Sequence, residues 1–212
     1  PLIEENGGLN ISAESIILED GAKISSDTYG IGNAGSIDLK AQFIKIGDVT
    51  DTNTAVISSG TSGSGHAGKI NISAFQGDVG SENYLNSLIS LAGDAKIQTT
   101  SGTINSDGEF IGSGTETGQA GSITLTAGAI KVDGATIAAK TNSKLIHDAA
   151  TINITSKADS VENVFDSSTE KETIDGIQAA DLSITSITHG KSNAGDVSLS
   201  SNSSILLKSS AL

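Results

Sequence analysis

Apolar and polar residues alternate strictly in short stretches of this chain, and each stretch opens with a pair of small residues. In the copy that begins at Gly121, Ile123 and Leu125 alternate with serine and threonine. A period of two places the apolar side chains on one face of a β-strand. The same phrase begins at Gly7, Gly35, Gly68, Gly121 and Gly195, and a copy without the glycine occupies residues 148–154.

Several copies continue with two further apolar segments, which are separated by a corner that contains glycine. In the Gly121 copy, residues 130–132 resume the alternation, Asp133-Gly134 forms a turn, and Ala135 begins a third short strand. Asp-Gly corners tolerate the positive φ angles that tight bends demand. We therefore predict structural turns at these glycines: Gly7, Gly35, Gly68, Gly121 and Gly195 at the start of a copy, and Gly21 and Gly134 inside one.

Short strands that are joined by corners, rather than by hairpins, predict a solenoid in which each coil pairs in parallel with the next. The starts at Gly7, Gly35, Gly68 and Gly121 are 28, 33 and 53 residues apart. One coil fits the first interval, one coil with a loop fits the second, and two coils fit the third. The sequence thus predicts an all-β parallel solenoid of roughly seven to nine coils, formed by residues 1–212 as one unit.

A polar residue lies between the two apolar residues of the first strand in every copy. If the copies stack, these residues form an outward-facing polar column: Asn10, Asp38, Asn71, Thr124, Asn153 and Ser198. Stacked asparagine and threonine side chains can hydrogen-bond between strands. We prefer the simpler interpretation, which is a solvated exterior.

Two stretches interrupt the repeat, at about residues 76–87 and 157–176. The second is polar and acidic with few apolar residues, which predicts a loop or short helix projecting from the solenoid. Long connections in compact repeats often carry function. We therefore expect specific contacts at these two excursions.

Composition and charge exclude several classes of partner. The net charge is −13, from 25 acidic residues against 12 lysines, and arginine does not occur. Nucleic acids and anionic membranes require a basic surface, so neither is an expected partner. A run of about 18 apolar residues is also missing, so we predict no membrane insertion. The chain starts at Pro1 and has no methionine, which indicates an interior piece of a longer polypeptide.

Asp48, Asp51 and Asn53 are the candidate metal ligands, because they place oxygen atoms close together in one loop. Such ligands suit Ca²⁺. The loop lacks the glycine and glutamate of an EF-hand, so we interpret it as a solvated acidic loop and keep calcium as the alternative. No other metal or cofactor is predicted.

Other motifs do not indicate an enzyme. Residues 30–35 and 63–68 match G-x-G-x-x-G, but each opens a predicted strand, whereas a dinucleotide site opens a helix. His66 occupies a corner position that holds asparagine or glutamine in other copies. His147 and Asp148 could form a nucleophilic set with a serine. Serine is so abundant in this chain that such a combination is expected by chance. We predict no catalytic residues.

Residues 15–39 contain the order of phrases that is most informative about family: S-I-I-L-E-D-G-A-K-I, then G-I-G-N-A-G-S-I-D-L. This order resembles the repeats of filamentous-haemagglutinin-like exoproteins, and residues 130–137 and 190–199 repeat it. The resemblance implies a right-handed parallel β-helix, export by two-partner secretion through an outer-membrane transporter, and a role in adhesion, aggregation or biofilm structure. It implies no catalytic residues.

We therefore expect a shaft segment of an extracellular adhesin or fibre protein on the surface of a Gram-negative-type bacterium. Its expected partners are the export transporter and host, neighbouring-cell or matrix components. Two alternatives stay open. The segment could self-associate through its solenoid edges to build a filament, or it could be a carbohydrate-active β-helix enzyme.

Overall fold

The computed structural model describes residues 7–29, 31–50, 52–76, 83–102, 118–143, 145–146, 149–165, 168 and 172–209. Within these ranges the chain is all-β, and no helix is present that is long and apolar enough to cross a membrane. The strands are β1 (Leu9–Ser12), β2 (Ser15–Leu18), β3 (Lys23–Ser25), β4 (Ile37–Ala41), β5 (Phe43–Ile46), β6 (Val56–Thr61), β7 (Ile70–Ala74), β8 (Leu88–Ser101), β9 (Ile123–Ala127), β10 (Ala129–Ser143), β11 (Ile152–Ser156), β12 (Val161–Glu162), β13 (Thr173–Ile174), β14 (Ile177–Gly190), β15 (Val197–Ser201) and β16 (Ile205–Lys208).

Two large parallel sheets contain most of these strands. Sheet A has six strands in the order β1-β4-β7-β9-β11-β15. Sheet B has eight strands, with β16-β14-β10-β8-β5-β2 as its main path and β3 and β6 paired beside β8. A small antiparallel pair, β12-β13, lies outside them. The prediction of an all-β fold with parallel stacking is therefore confirmed.

Each repeat contributes one strand to sheet A and then a longer path to sheet B. The sheet B path has a first arm, which contains β2 and β5, and a second arm, which contains β3 and β6; β8, β10 and β14 run through both arms. The bend between the arms uses the left-handed region of φ, with Gly21 at +79° and Gly134 at +80°. Aspartate fills equivalent places, since Asp20, Asp94 and Asp181 also have positive φ. Small or short polar residues are the ones that adopt this conformation most readily.

The alternation seen in the sequence sets which side chains are buried. Along β4, β7, β9 and β11 the first, third and fifth residues are buried and the two between them are partly exposed. Ile37 of sheet A, Ile44 of the first arm and Ile57 of the second arm are fully buried in one apolar cluster. Burying one such side chain contributes roughly 1.5–3 kcal/mol. All three segments of a repeat therefore pack on a common core.

The predicted number of coils is wrong, because it assigned two coils to residues 68–120. Strand β7 pairs directly with β9, with Asn71 opposite Thr124, so this long interval adds one strand to sheet A. The extra length falls in two ranges, 76–87 and 103–117. Residues 77–82 of the first range and all of the second lie outside the described residues. Six repeats are present in the described part of the chain, against the seven to nine expected.

Two serine hydroxyl groups, one buried at Ser59 and one partly buried at Ser186, connect the second arm to the start of the next repeat. Ser59 Oγ lies 3.0 Å from the Gly35 carbonyl oxygen and accepts a 2.9 Å hydrogen bond from the Gly68 amide. Ser186 Oγ accepts an equivalent 2.9 Å bond from the Gly195 amide. A buried amide without a partner is costly, so these hydroxyls satisfy the backbone where the chain changes sheets.

The glycines that open the repeats lie against the backbone of the preceding repeat. A Cβ atom on Gly35 would come within 1.8 Å of the Gly7 carbonyl oxygen, and one on Gly68 within 2.2 Å of the Gly35 oxygen. Gly121 and Gly195 are equally close to their neighbours, at 2.0 and 1.7 Å. The fifth repeat, which contributes β11 to sheet A, carries Ala150 at this position, and its methyl group is buried. Close approach, rather than positive φ, is what requires glycine in this glycine stack.

Gly68→Ala is expected to lower the free energy of unfolding by at least about 2 kcal/mol, because its methyl group would overlap a main-chain oxygen of the preceding repeat. The matched control is Gly7→Ala, at the open end of the same stack, where nothing lies within 4 Å of the added atom. That variant should stay within about 1 kcal/mol of the parent. Urea unfolding followed by far-UV circular dichroism measures both. Equal effects would contradict the packing described for the stack.

Candidate functional site: the corner that carries both excursions

Both excursions leave the stacked strands at the same corner of the repeat, between a sheet A strand and the first arm of sheet B. Residues 75–87 connect β7 to β8, and residues 157–176 connect β11 to β14. Residues 77–82 lie outside the described residues. The chain has four phenylalanines and two tyrosines, and four of these six aromatic side chains are at this corner: Phe43, Phe75, Tyr84 and Phe165.

The first excursion closes on itself through one buried serine. Ser87 Oγ lies 2.8 Å from the Ala74 carbonyl oxygen and 2.9 Å from the Tyr84 carbonyl oxygen, so it connects both ends of the loop. It also accepts a 2.8 Å bond from the Gly128 amide of the next repeat. The Phe75 and Tyr84 rings meet edge to face at 6.3 Å. This geometry holds the Tyr84 ring over the corner.

The second excursion folds back on sheet B, and the prediction of a projecting loop or short helix is wrong for its described part. Strands β12 and β13 form a hairpin whose Val161 and Ile174 side chains are buried against Leu88 and Ala129, on the outer face of the first arm. The Phe165 ring meets Phe43 edge to face, with centroids 6.4 Å apart. The sparse apolar residues of this segment thus form a second small core outside the main one.

Charged side chains fix the hairpin and join the two excursions. Lys131 on β10 forms an ion pair with Glu172. Asn163 Nδ2 also donates to Glu172 Oε2, at 3.2 Å. Lys157 Nζ lies 4.2 Å from the centre of the Tyr84 ring, which is cation–π distance. The two excursions and the strands beneath them therefore form one continuous surface, which we name the corner surface.

The corner surface presents apolar side chains at its rim. Leu85 is 59% exposed in the first excursion, and Val164 is 36% exposed at the hairpin. Aromatic and apolar groups held on a packed support are typical of protein contact surfaces. Among the described residues, this corner is where the chain departs most from a plain repeat, and it is the candidate contact surface.

The candidate calcium loop is arranged around an ion pair between repeats. Lys45 Nζ lies 2.7 Å from Glu19 Oε1 and is also bonded to Asp48 Oδ2. The other oxygen of Asp48 accepts bonds from the Thr50 amide at 3.0 Å and from its hydroxyl at 2.8 Å. Both oxygens of Asp48 thus have protein partners. Asn53 packs over Gly21, and Asp51 lies outside the described residues.

Ionisation of this group of side chains is shifted by the contacts. The hydrogen bond from Lys45, together with those from Thr50, holds the pKa of Asp48 well below its usual range. Burial by itself would lower the pKa of Lys45, but hydrogen bonds to Asp48 and Glu19 outweigh burial and raise it. Both shifts favour the charged pair in the folded state.

The other predicted positions are placed as follows. All six residues of the polar column are register partners on sheet A, and each is partly or fully exposed. Asn71 Nδ2 donates to Asp38 Oδ1 at 2.9 Å, whereas Asn153 Nδ2 donates to Thr151 of its own repeat at 3.3 Å. The two G-x-G-x-x-G matches precede β4 and β7, and both elements are strands. His147, Asp148 and Gly30 lie outside the described residues.

Comparison with known proteins adds no relative. No protein-family model, no curated protein and no solved structure matches the chain. The resemblance to filamentous-haemagglutinin-like repeats therefore depends on the sequence phrases quoted above. In the described ranges, no group of three or more histidine, cysteine, aspartate or glutamate side chains is arranged to hold a metal ion.

Phe165→Ala is expected to loosen the hairpin while leaving the sheets intact, because an edge-to-face pair contributes about 0.5–1.5 kcal/mol beyond burial. Hydrogen–deuterium exchange should rise in peptides covering β12 and β13 and stay unchanged in β9 and β11. The matched control is Val164→Ala, since Val164 is the exposed neighbour. If exchange rises equally throughout the chain, the hairpin is not a separate unit on sheet B.

The lowered pKa of Asp48 predicts how stability depends on pH. A carboxyl group with a depressed folded-state pKa stabilises the fold above its unfolded pKa of about 4 and loses that contribution as the pH falls further. Asp48→Asn should therefore flatten the decline in unfolding free energy between about pH 5 and pH 2. The control is Asp159→Asn, at an exposed aspartate of another repeat. Parallel acid limbs for Asp48→Asn and the parent would contradict the role of the pair.

Proposed function

We propose that this chain is a segment of the shaft of a secreted adhesin or extracellular fibre protein, wound as a right-handed parallel β-helix. The observation that carries the proposal is one continuous row of register partners. Leu9, Ile37, Ile70, Ile123, Ile152 and Val197 lie opposite one another across sheet A. Five steps of ~4.8 Å place the first and last strands about 24 Å apart along the stack.

The winding is inferred from the order of the strands. The chain passes from sheet A through both arms of sheet B and returns to sheet A one strand further along. All three segments contribute to one apolar cluster, which supports a coil closed around that cluster. Crossover connections between parallel strands of one sheet are right-handed in about 98% of cases. This agrees with the hand that the resemblance implies.

A stack of this kind suits a mechanical role. Each repeat contacts only its neighbours, so further repeats lengthen the stack without changing its cross-section. The net charge of −13 keeps such an extended surface solvated and opposes non-specific contacts between acidic chains. We therefore infer that the shaft holds a distal binding region away from the cell and has no catalytic role. By resemblance, an outer-membrane partner transporter exports it from a Gram-negative-type bacterium. Its contacts are host, neighbouring-cell or matrix components.

Self-assembly is the second candidate, and exposed side chains at one end of the stack favour it. Ile205 and Leu207 of β16 are 44% and 60% exposed, whereas their partners Ile177 and Ala179 in the preceding repeat are 0% and 5% exposed. A further strand, from another repeat of the same polypeptide or from a second copy, would cover them. Strand β2 of a second copy, which forms the opposite edge of sheet B, has the matching alternation in Ile16 and Leu18.

The test uses the natural protein in the bacterium that produces it. Antibodies raised against this segment should label intact cells, and electron microscopy of the purified protein should show isolated thin rods. Deleting residues 121–149, one whole repeat, should keep surface labelling, because Ile152 then takes the place of Ile123 beside Ile70. Deleting residues 121–135 should abolish it, because this deletion leaves a partial coil.

The outcomes separate the candidates. Labelling that requires permeabilised cells would contradict an extracellular shaft. Ordered filaments would favour the self-assembly candidate, provided that they disappear with Leu207→Lys, which places a charge on the exposed end.

A further inference from the structure

We propose that the outer face of the second arm carries a binding groove for a neutral saccharide. The groove has a volume of about 260 Å³ and crosses repeats 1, 2 and 3, which begin at Gly7, Gly35 and Gly68. Asp27 and Tyr29 line it in repeat 1, Ser58 and Gly60 in repeat 2, and Gln98 and Thr100 in repeat 3. This face is separate from the corner surface, and the inference does not depend on the proposed shaft function.

The groove exists because one position in a row has no side chain. Asp27, Gly60 and Thr100 lie opposite one another in adjacent strands. Gly60 leaves a depression between the side chains on either side of it, and a Cβ there would lie 3.3 Å from Asp27 Oδ1 and 3.4 Å from the Thr100 carbonyl oxygen. Pockets for drug-sized ligands usually hold roughly 300–1,000 Å³, so this slightly smaller groove fits a unit such as one sugar ring.

An exposed aromatic ring stands at one end of the groove. Tyr29 is 85% exposed, and it is one of only two tyrosines in the chain. Large aromatic side chains normally bury most of their area, so a ring this open requires an explanation. A phenol ring offers an apolar face together with a polar edge. The C–H face of a sugar ring packs on such a face while its hydroxyl groups remain free to hydrogen-bond.

Unused hydrogen-bonding capacity lies beside that ring. Thr100 is 2% exposed, and its hydroxyl oxygen is buried without a hydrogen-bond partner among the described residues. Such an orphaned group is rare in folded proteins. Within the described part of the chain, the Asp27 carboxylate accepts only long bonds from Ser58 Oγ, at 3.3 and 3.4 Å, and lies 3.6 Å from Lys23 Nζ. A carboxylate has about four acceptor sites, so Asp27 retains capacity for a ligand hydroxyl.

The charges in and around the groove decide which class of ligand it can bind. Asp27 in the groove and the net charge of −13 repel anionic sugars and phosphates. The Lys23 ammonium already faces the Asp27 carboxylate, which disfavours a bound cation. A neutral ligand that both donates and accepts hydrogen bonds and has one apolar face satisfies every group. Neutral saccharides have this chemistry.

The test measures binding of a panel of neutral tetrasaccharides built from glucose, galactose or mannose, with a glucuronate-containing oligosaccharide as the charged comparator. Saturation-transfer NMR and calorimetry on the full chain should detect at least one neutral member with a millimolar or tighter dissociation constant. Tyr29→Ala and Thr100→Val should each weaken it at least tenfold. Ile31→Ala is the matched control, since Ile31 is 88% exposed two residues away, and it should bind like the parent.

Stability measurements keep the result interpretable. Thr100→Val replaces a hydroxyl that has no protein partner, so its thermal unfolding should match the parent or exceed it, and lost binding then reports the groove. Gly60→Ser should block binding by filling the depression. The proposal is overturned if no neutral saccharide binds, if Tyr29→Ala binds like the parent, or if the charged comparator or an unrelated peptide binds better. Release of cleaved sugar would indicate an enzyme instead of a binding groove.

Discussion

The main-chain hydrogen bonds between successive repeats are the interaction on which the rest of this structure depends. A parallel strand pair fixes which residue lies opposite which, and a shift by one residue would turn every buried side chain outward. Here a single register is kept across all six strands of sheet A, although the intervals between repeats differ. The varying length is absorbed outside the sheets, so every repeat presents the same face to the core.

This constraint explains where unusual residues occur. Glycine is needed at Gly35 and Gly68 because the backbone of one repeat touches that of the next, and any side chain there would separate the strands. The long insertions lie at corners, because an inserted residue within a strand shifts the register, as it does at the bend of sheet B, where β8 has one residue more than β10. The excursions therefore emerge at one corner, and the hairpin of the second one uses its few apolar residues to pack on sheet B. The features that could carry specificity are thus placed by the same bonds that build the stack.

Much of the fold could be predicted from the sequence, because a strict alternation that recurs along a chain is typical of stacked parallel strands. Position-by-position comparison aligned Asn10 with Asp38 and Asn71, and these residues are register partners. The coil count failed at residues 68–120, since length alone does not distinguish a second coil from an excursion. The groove was not foreseen either. Gly60 and Thr100 belong to different repeats, and they are adjacent only because β6 pairs with β8. A sequence pattern also does not indicate whether a threonine hydroxyl will be buried without a hydrogen-bond partner.

The direct pairing of β7 with β9 across 53 residues is the most specific consequence of this register, and a disulfide measures it. The chain has no cysteine, so Asn71→Cys with Thr124→Cys introduces one defined pair. In-register partners lie about 5 Å apart, within the Cα range that disulfides bridge. This pair should oxidise readily in the folded protein. Asn71→Cys with Thr126→Cys, offset by two residues to about 8 Å, should remain reduced. Equal oxidation of both pairs, or oxidation of the offset pair alone, would contradict the stacked register.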